Sequence, residues 1–218
     1  MIPVIIIPVY NPPQTFLTLL GAIRSITSIP IIIIDDGSHQ SIKIVADFPY
    51  VKILKNHTNQ GKGYSLIKGF HYAFNHGYTH GITLDADSQH DPIFIPQFLA
   101  VDTKISIVYG KRNFNENMPF FRKLSNLLTS KIVTIIGHQS VFDSQCGYRR
   151  YRLEDVCKEI FYEKGYQFET EVLIKLLRNG FGIYHIDIST IYAGEHSAVS
   201  YSYDTFKFIK MLIKILKN

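Results

Sequence analysis

The chain has 218 residues, 46% hydrophobic and 19% charged, with 15 Phe, 14 Tyr and no Trp, which excludes a disordered segment and supplies enough apolar side chain for a filled core. A formal charge of +5 and a pI near 9.0 point to anionic partners, while two cysteines exclude a disulfide framework and a four-ligand zinc site. No apolar run reaches the roughly 18 residues a bilayer crossing needs, and residues 2–9 lack the basic flank and cleavage site of a signal peptide.

In chain order, β-branched runs alternate with helix-length segments. Residues 2–9, 31–34, 51–54 and 81–84 are rich in β-branched residues and nearly continuously apolar, the pattern of strands buried on both faces of a parallel sheet. Between them, 14–28 and 62–76 carry apolar residues at helical spacing, with Leu17, Leu20 and Ile23 in the first and Leu66, Phe70 and Phe74 in the second. Further on, 105–110 and 183–188 are expected as strands, and 120–136 and 168–179 as helices. The expected architecture is α/β, a Rossmann-like, mainly parallel sheet with helices on both faces, in one domain over 1–218. A final helix at 204–217 sets Lys207, Lys210, Lys214 and Lys217 beside Phe206, Phe208, Ile209, Leu212, Ile213 and Leu216. It fits either docking on the core or peripheral attachment to an anionic membrane.

Chemistry concentrates where strands end. Asp85-Ala86-Asp87-Ser88-Gln89-His90-Asp91 follows an apolar strand, at the carboxyl edge where open α/β sheets bind ligands. Two carboxylates and a nearby amide are hard oxygen donors suited to Mg²⁺ or Mn²⁺. An EF-hand calcium loop is excluded, since its sixth and twelfth positions are His90 and Pro96 here. Helix capping by these acids accounts well only for Asp91.

Asp35-Asp36-Gly37-Ser38 makes a second acidic turn on the same sheet edge, where a carboxylate can accept hydrogen bonds from a ribose or a base, or simply shape a turn. Gly61-Lys62-Gly63 opens a helix and offers N–H groups and an ammonium to phosphate, but lacks the third glycine of a dinucleotide fingerprint. Gly110-Lys111-Arg112, Arg122-Lys123 and Arg149-Arg150-Tyr151-Arg152 supply cations suited to phosphate, or plain surface charge. Asp143, Glu169 and Glu171 are further carboxylates, at least one of them expected to pair with an arginine.

In their order along the chain, Ile7-Pro8-Val9-Tyr10-Asn11, Asp35-Asp36-Gly37-Ser38, Asn59-Gln60-Gly61-Lys62-Gly63, Asp85 to Pro92, Gly110-Lys111-Arg112 and Asp143 to Arg149 resemble the blocks of family 2 glycosyltransferases. The branch most resembled is that of dolichol-phosphate mannose synthase and related polyprenyl-phosphate sugar transferases. The resemblance implies a GT-A fold and a nucleoside diphosphate sugar donor. It places Pro8, Tyr10, Asn11 and Asp36 on the nucleoside, and Asp85, Asp87 and Gln89 on a Mg²⁺ or Mn²⁺ ion. Arg112 and Arg122 match positions meeting phosphate, and Lys62 and Arg149 are further candidate substrate ligands.

Such enzymes invert the anomeric centre, the acceptor being a lipid phosphate or a glycan. A hydroxyl acceptor would require a carboxylate base, with Asp143 first and Glu169 and Glu171 behind it.

Two departures stand out: Pro12 and Gln40 replace acidic residues, and 190–197 replaces the usual late basic block. A cytoplasmic location is expected, peripheral to the membrane if the lysine helix attaches. Rival readings are a sugar nucleotidyltransferase, for which Asn11-Pro12-Pro13-Gln14 is not the basic glycine-rich loop required, and a non-catalytic sugar-nucleotide-binding module. Nucleic acid is disfavoured by the acidic crevice.

Overall fold

A computed structural model describes residues 1–40, 42, 48, 50–113, 120–189 and 201–217, the side chains of 120–122, 201–206 and 216–217 excepted. Seven strands form one sheet in the order β3-β2-β1-β4-β6-β5-β7. They are β1 (Pro3–Val9), β2 (Ile31–Asp35), β3 (Val51–Lys55), β4 (His80–Thr83), β5 (Ile107–Arg112), β6 (Arg149–Arg152) and β7 (Ile183–Ile188). All neighbours run parallel except β6, which is antiparallel to both β4 and β5.

The period of two along β1 divides the core. Val4 and Ile6 join Ile32 and Ile34 on one face, where they meet Leu66, Phe70 and Ala73 of α2 (Lys62–Asn75) and the inner side of α6 (Phe168–Arg178). Ile5, Ile7 and Val9 join Ile31 and Ile33 on the other, beneath Phe16, Leu19, Leu20 and Ile23 of α1 (Phe16–Ile26). Each buried isoleucine contributes about 1.5–3 kcal/mol of transfer free energy, which explains why these short strands need no alternating polar face. The expected apolar stripes shift slightly: Leu17 and Phe74 are exposed, because the stripes turn on Phe16–Leu19–Leu20–Ile23 and Leu66–Phe70–Ala73.

One central strand is invisible to periodicity. The Arg149-Arg150-Tyr151-Arg152 run is β6, wedged between β4 and β5, and Arg149 and Arg150 are fully buried. The Arg150 guanidinium donates to the carbonyls of Phe98 (3.0 Å), Val101 (2.6 Å) and Asp102 (2.7 Å), tying down the loop after α3 (Ile95–Ala100). For Arg149 and Arg150 this corrects both readings of the run, as phosphate ligands and as surface charge. A short helix, α5 (Leu153–Cys157), follows it directly.

Two more helices complete the description. α4 (Phe120–Gly137) buries Asn126, Thr129, Ser130 and Val133 and turns Leu124, Leu127, Leu128 and Ile135 outward. α7 (Tyr201–Lys217) packs Met211 and Ile215 on the core, and Arg178 of α6 donates to the Ile215 carbonyl at 2.6 Å. Ile209 and Ile213 of α7 are half exposed, beside exposed Lys210 and Lys214. Among the described residues no helix is long and apolar enough to cross a membrane.

Candidate active site

Parallel register brings the ends of β1, β2 and β4 to one edge. Val9 pairs with Asp35, and Ile6 pairs with Thr83, so that Asp85, two residues on, leaves the sheet beside the other two strand ends. The chain then doubles back through Ser88, whose φ of 62° is uncommon for a residue with a side chain. That turn lets the Asp85 N–H donate to Nδ1 of buried His90 at 3.3 Å, which makes Nε2 the protonated nitrogen of a neutral ring. Asp87 Oδ1 accepts from the Gln89 N–H at 3.0 Å, and Asp91 Oδ1 caps the short 3-10 turn Pro92–Phe94 through the Ile93 N–H at 3.0 Å.

Asp85 does not stand alone. Lys62 Nζ, on the first residue of α2, lies 2.6 Å from Asp85 Oδ1 and 2.6 Å from Glu169 Oε1 on the first turn of α6. Burial alone lowers the affinity of Lys62 for its proton, but Asp85 and Glu169 outweigh it and drive the net shift upward. Burial raises Asp85, yet the Lys62 ammonium beside it holds it below the usual carboxylate range. Asp87 goes the other way, raised by burial and then by the charge of Asp85. His90 is lowered, chiefly by burial.

Gly147 closes the wall. A Cβ there would sit 2.9 Å from Lys62 Nζ and 3.0 Å from Asp85 Oδ2, so only glycine leaves the ion pair undisturbed. Thr83 Oγ1 holds the Gly147 carbonyl at 2.7 Å.

A second cluster surrounds Arg112. Its Nε and Nη2 donate to Asp143 Oδ2 and Oδ1 at 2.7 and 2.9 Å, a fork that fixes the guanidinium plane. Asp143 is fully buried and also accepts from Asn126 Nδ2 at 2.8 Å and from the N–H groups of Arg112, Gln145 and Cys146. Burial pushes its carboxyl up, but Arg112 and these donors hold it below the ordinary range. Both oxygens are engaged, and in this arrangement Asp143 holds Arg112 in place.

The other base candidates are also occupied. Glu171 accepts from the N–H groups of Tyr162 and Glu163 and pairs with Lys175 Nζ at 2.9 Å, while Glu169 holds Lys62. Arg149, expected on substrate, instead donates to the carbonyls of Cys146 (2.7 Å), Glu169 (2.6 Å) and Ser144 (2.8 Å) and braces the Asp143–Gly147 loop from behind.

Asp36 differs from its expected role as well. Its Oδ1 accepts from Asn56 Nδ2 (2.7 Å) and the Gln60 N–H (2.9 Å), and Oδ2 from the Gly61 N–H (2.8 Å), so it aims the start of α2, and with it Lys62. Asn11, at φ 48°, donates its N–H to Ser38 Oγ and accepts from the His39 N–H, while Tyr10 is exposed and edges against His39. Pro8 is partly buried. The Arg122 side chain and the block 190–197 lie outside the described residues.

Three participants were missed or misassigned in the sequence: His90, Gly147 and Asn126. For the last there was a signal, since Asn126, Thr129 and Ser130 form a polar stripe at helical spacing on a helix whose opposite face is leucine.

The donor chemistry fits a hard divalent cation. Asp85, Asp87 and Gln89 are two carboxylates and an amide, and the Lys62 ammonium already takes a cation's place at Asp85. Among the described residues no group of three or more His, Cys, Asp and Glu is placed to hold a metal, so further coordination would come from substrate oxygens and water.

Residues 4–161 match the family described as Glycosyl transferase family 2. Over 97% of its length the chain is 31% identical to an uncharacterized protein of Methanocaldococcus jannaschii, covering 96% of that protein. It is 28% identical to the undecaprenyl-phosphate mannosyltransferase of Micrococcus luteus, with 85% and 82% of the two chains covered. To the UDP-N-acetylglucosamine–dolichyl-phosphate N-acetylglucosaminyltransferase of Methanococcus voltae it is 30% identical, with 86% and 85% covered. In fold it matches glucosyl-3-phosphoglycerate synthase from Mycobacterium tuberculosis in complex with Mn²⁺, UDP and glucosyl-3-phosphoglycerate, with a TM-score of 0.73 at 15% identity and 97% and 78% of the chains covered. The same synthase with Mg²⁺ and UDP gives a TM-score of 0.74 at 14% identity, again over 97% and 78%. The fold is GT-A.

Proposed function

The chain belongs to glycosyl transferase family 2, and from that premise we propose that it moves a sugar, with inversion, from a nucleoside diphosphate sugar to a polyprenyl phosphate. The observation that carries the choice of acceptor is that, among the described residues, the three carboxylates named as bases are all engaged. Asp143 is locked to Arg112, Glu169 to Lys62, and Glu171 to two N–H groups and Lys175. A sugar hydroxyl needs a base to remove its proton, whereas a phosphate monoester arrives as an anion and needs only to be positioned. The relatives named for undecaprenyl phosphate and dolichyl phosphate support the same choice.

In this reading Asp85, Asp87 and Gln89 hold Mg²⁺ or Mn²⁺ on the donor diphosphate. The ion, when bound, stabilises the charge that develops on the leaving nucleotide without proton transfer. Arg112, its plane fixed by Asp143, is the cation that would meet phosphate at this end of the sheet. Pro8, Tyr10 and Asn11 rim the nucleoside end, and Asp36 sets the position of α2. The half-exposed Ile209 and Ile213 with Lys210 and Lys214 on α7, and the outward leucines of α4, would rest on the membrane that carries the acceptor.

Purified protein with Mn²⁺, a panel of UDP- and GDP-sugars and either a polyprenyl phosphate or neutral oligosaccharides tests this. Sugar should appear only on the polyprenyl phosphate, and Asp87→Ala should abolish its formation. Transfer to a neutral glycan with none to the lipid phosphate would overturn the acceptor assignment.

A further inference from the structure

The bridge from Lys62 to two carboxylates has a consequence for how the site fills. Its Nζ lies 2.6 Å from both Asp85 Oδ1 and Glu169 Oε1. The two acids differ in kind. Glu169 is almost wholly buried, with a side chain 4% exposed, whereas that of Asp85 is 27% exposed at the edge where the strands end. Lys62 itself is held on two sides, by the start of α2 that Asp36 fixes through Gly61 and by the flat wall at Gly147.

An ammonium in contact with a carboxylate disfavours a divalent cation on that carboxylate, because the two cations repel at short range in a partly desolvated crevice. Asp85 can therefore serve a metal well only when the Lys62 charge has another partner. Glu169 is one. A second is any dianion entering over Asp85, since Lys62 stands at a helix start and carries three donors.

We propose that Lys62 is an exchangeable counter-ion that neutralises Asp85 in the empty site and releases it when a divalent cation and a nucleoside diphosphate arrive together, Glu169 retaining the ammonium throughout. The inference rests on the reading that Asp85 and Asp87 hold a metal, and deepens it by assigning Lys62 and Glu169 to the control of metal affinity. The site would thus bind metal weakly by itself and strongly in the company of a diphosphate. The coupling is reciprocal, each ligand raising the affinity for the other by the same factor. A bridge that only joined α2, β4 and α6 would have no such effect.

Mn²⁺ binding to the full chain, followed by electron paramagnetic resonance of the free ion, separates these cases with Mn²⁺ alone, with UDP and with GDP. Wild type should bind Mn²⁺ weakly alone and more tightly with one of the diphosphates. Lys62→Met should tighten binding of Mn²⁺ alone by about tenfold or more, the effect of removing one like charge within a few ångströms, and reduce the enhancement given by the diphosphate. Lys62→Met with Glu169→Gln, which strands no buried carboxylate, should do the same and covers the case in which the single variant does not fold. Glu169→Gln alone should weaken Mn²⁺ binding, because Lys62 then has only Asp85.

Mn²⁺ affinity unchanged or weakened in the folded Lys62 variants, with wild-type binding intact and lost in Asp87→Ala, overturns the counter-ion role and leaves the metal site standing. No Mn²⁺ binding by wild type, with or without diphosphate, overturns both.

Discussion

Asp143 grips Arg112 through two parallel bonds, Nε to Oδ2 at 2.7 Å and Nη2 to Oδ1 at 2.9 Å, at the end of β5 where the crevice opens. The pair turns a flexible cation into a fixed one. It also occupies both oxygens of the carboxylate that sequence alone favours as a base.

Replacing one member should show this. Asp143→Asn leaves a partly buried guanidinium without its anion and should cost about 3 kcal/mol of stability by urea denaturation, the lower end for a buried pair. Because the folded-state carboxyl is held below its unfolded value of about 3.9, its stabilisation is complete above that pH and disappears as pH falls through the folded value. Wild type should therefore lose stability steeply on acidification below about pH 4, and Asp143→Asn should show a flatter profile there. In a cycle with Arg112→Met, losses in kcat/KM should be strongly non-additive, since both changes act on one guanidinium.

Gly147→Ala inserts a Cβ into the Lys62–Asp85 pair, with ideal distances of 2.9 Å to Nζ and 3.0 Å to Oδ2. These atoms end flexible side chains, so the fold should survive at a cost of about 1–3 kcal/mol. Function should suffer more, with kcat/KM down about a hundredfold for a displacement of about 1 Å. Thermal melting and steady-state kinetics on the same preparation would check the contrast.

Arg150 gives the opposite contrast. Arg150→Met orphans the carbonyls of Phe98, Val101 and Asp102, each worth about 1–3 kcal/mol when left unsatisfied. A loss of at least about 3 kcal/mol corresponds to a fall in Tm of roughly 6–12 °C for a chain of this size. Well below the new Tm, KM for the donor should be unchanged. A raised KM with an unchanged Tm would place Arg150 on substrate after all.

The exposed side of α7 makes a prediction about surfaces. Lys210 and Lys214 flank half-exposed Ile209 and Ile213, and juxtamembrane lysines are worth about 1 kcal/mol each near an anionic surface. Lys210→Glu with Lys214→Glu should reduce sedimentation with phosphatidylglycerol vesicles by tenfold or more at low salt and leave neutral vesicles unaffected. Equal binding of wild type and variant would detach α7 from any membrane role.

Residues close together in the chain were legible without coordinates. The isoleucine runs of β1 and β2 mark doubly buried strands, and Asp85 to Asp87 lie in the turn just past the end of β4, as their flanks imply. Even the capping role of Asp91 follows from Pro92 beside it. What escaped was β6. Its three arginines carry no apolar period, and it is a strand because β4 and β5 offer it two unpaired edges and because carbonyls elsewhere absorb its guanidinium groups.

Charge assignments divide in the same way. Local pattern was enough for the family, for six of the seven strands and for the kinds of group at the strand ends, since these follow from hydrophobic runs and from turns whose chemistry lies within a few residues. Which group each charge meets depends on how distant segments pack. Lys62 meets Asp85 and Glu169, Arg112 meets Asp143, and Asp36 meets Asn56 and the Gly61 amide. A buried carboxylate takes its basicity and its availability from neighbours that approach only when distant segments pack, and no spacing along the chain encodes those approaches.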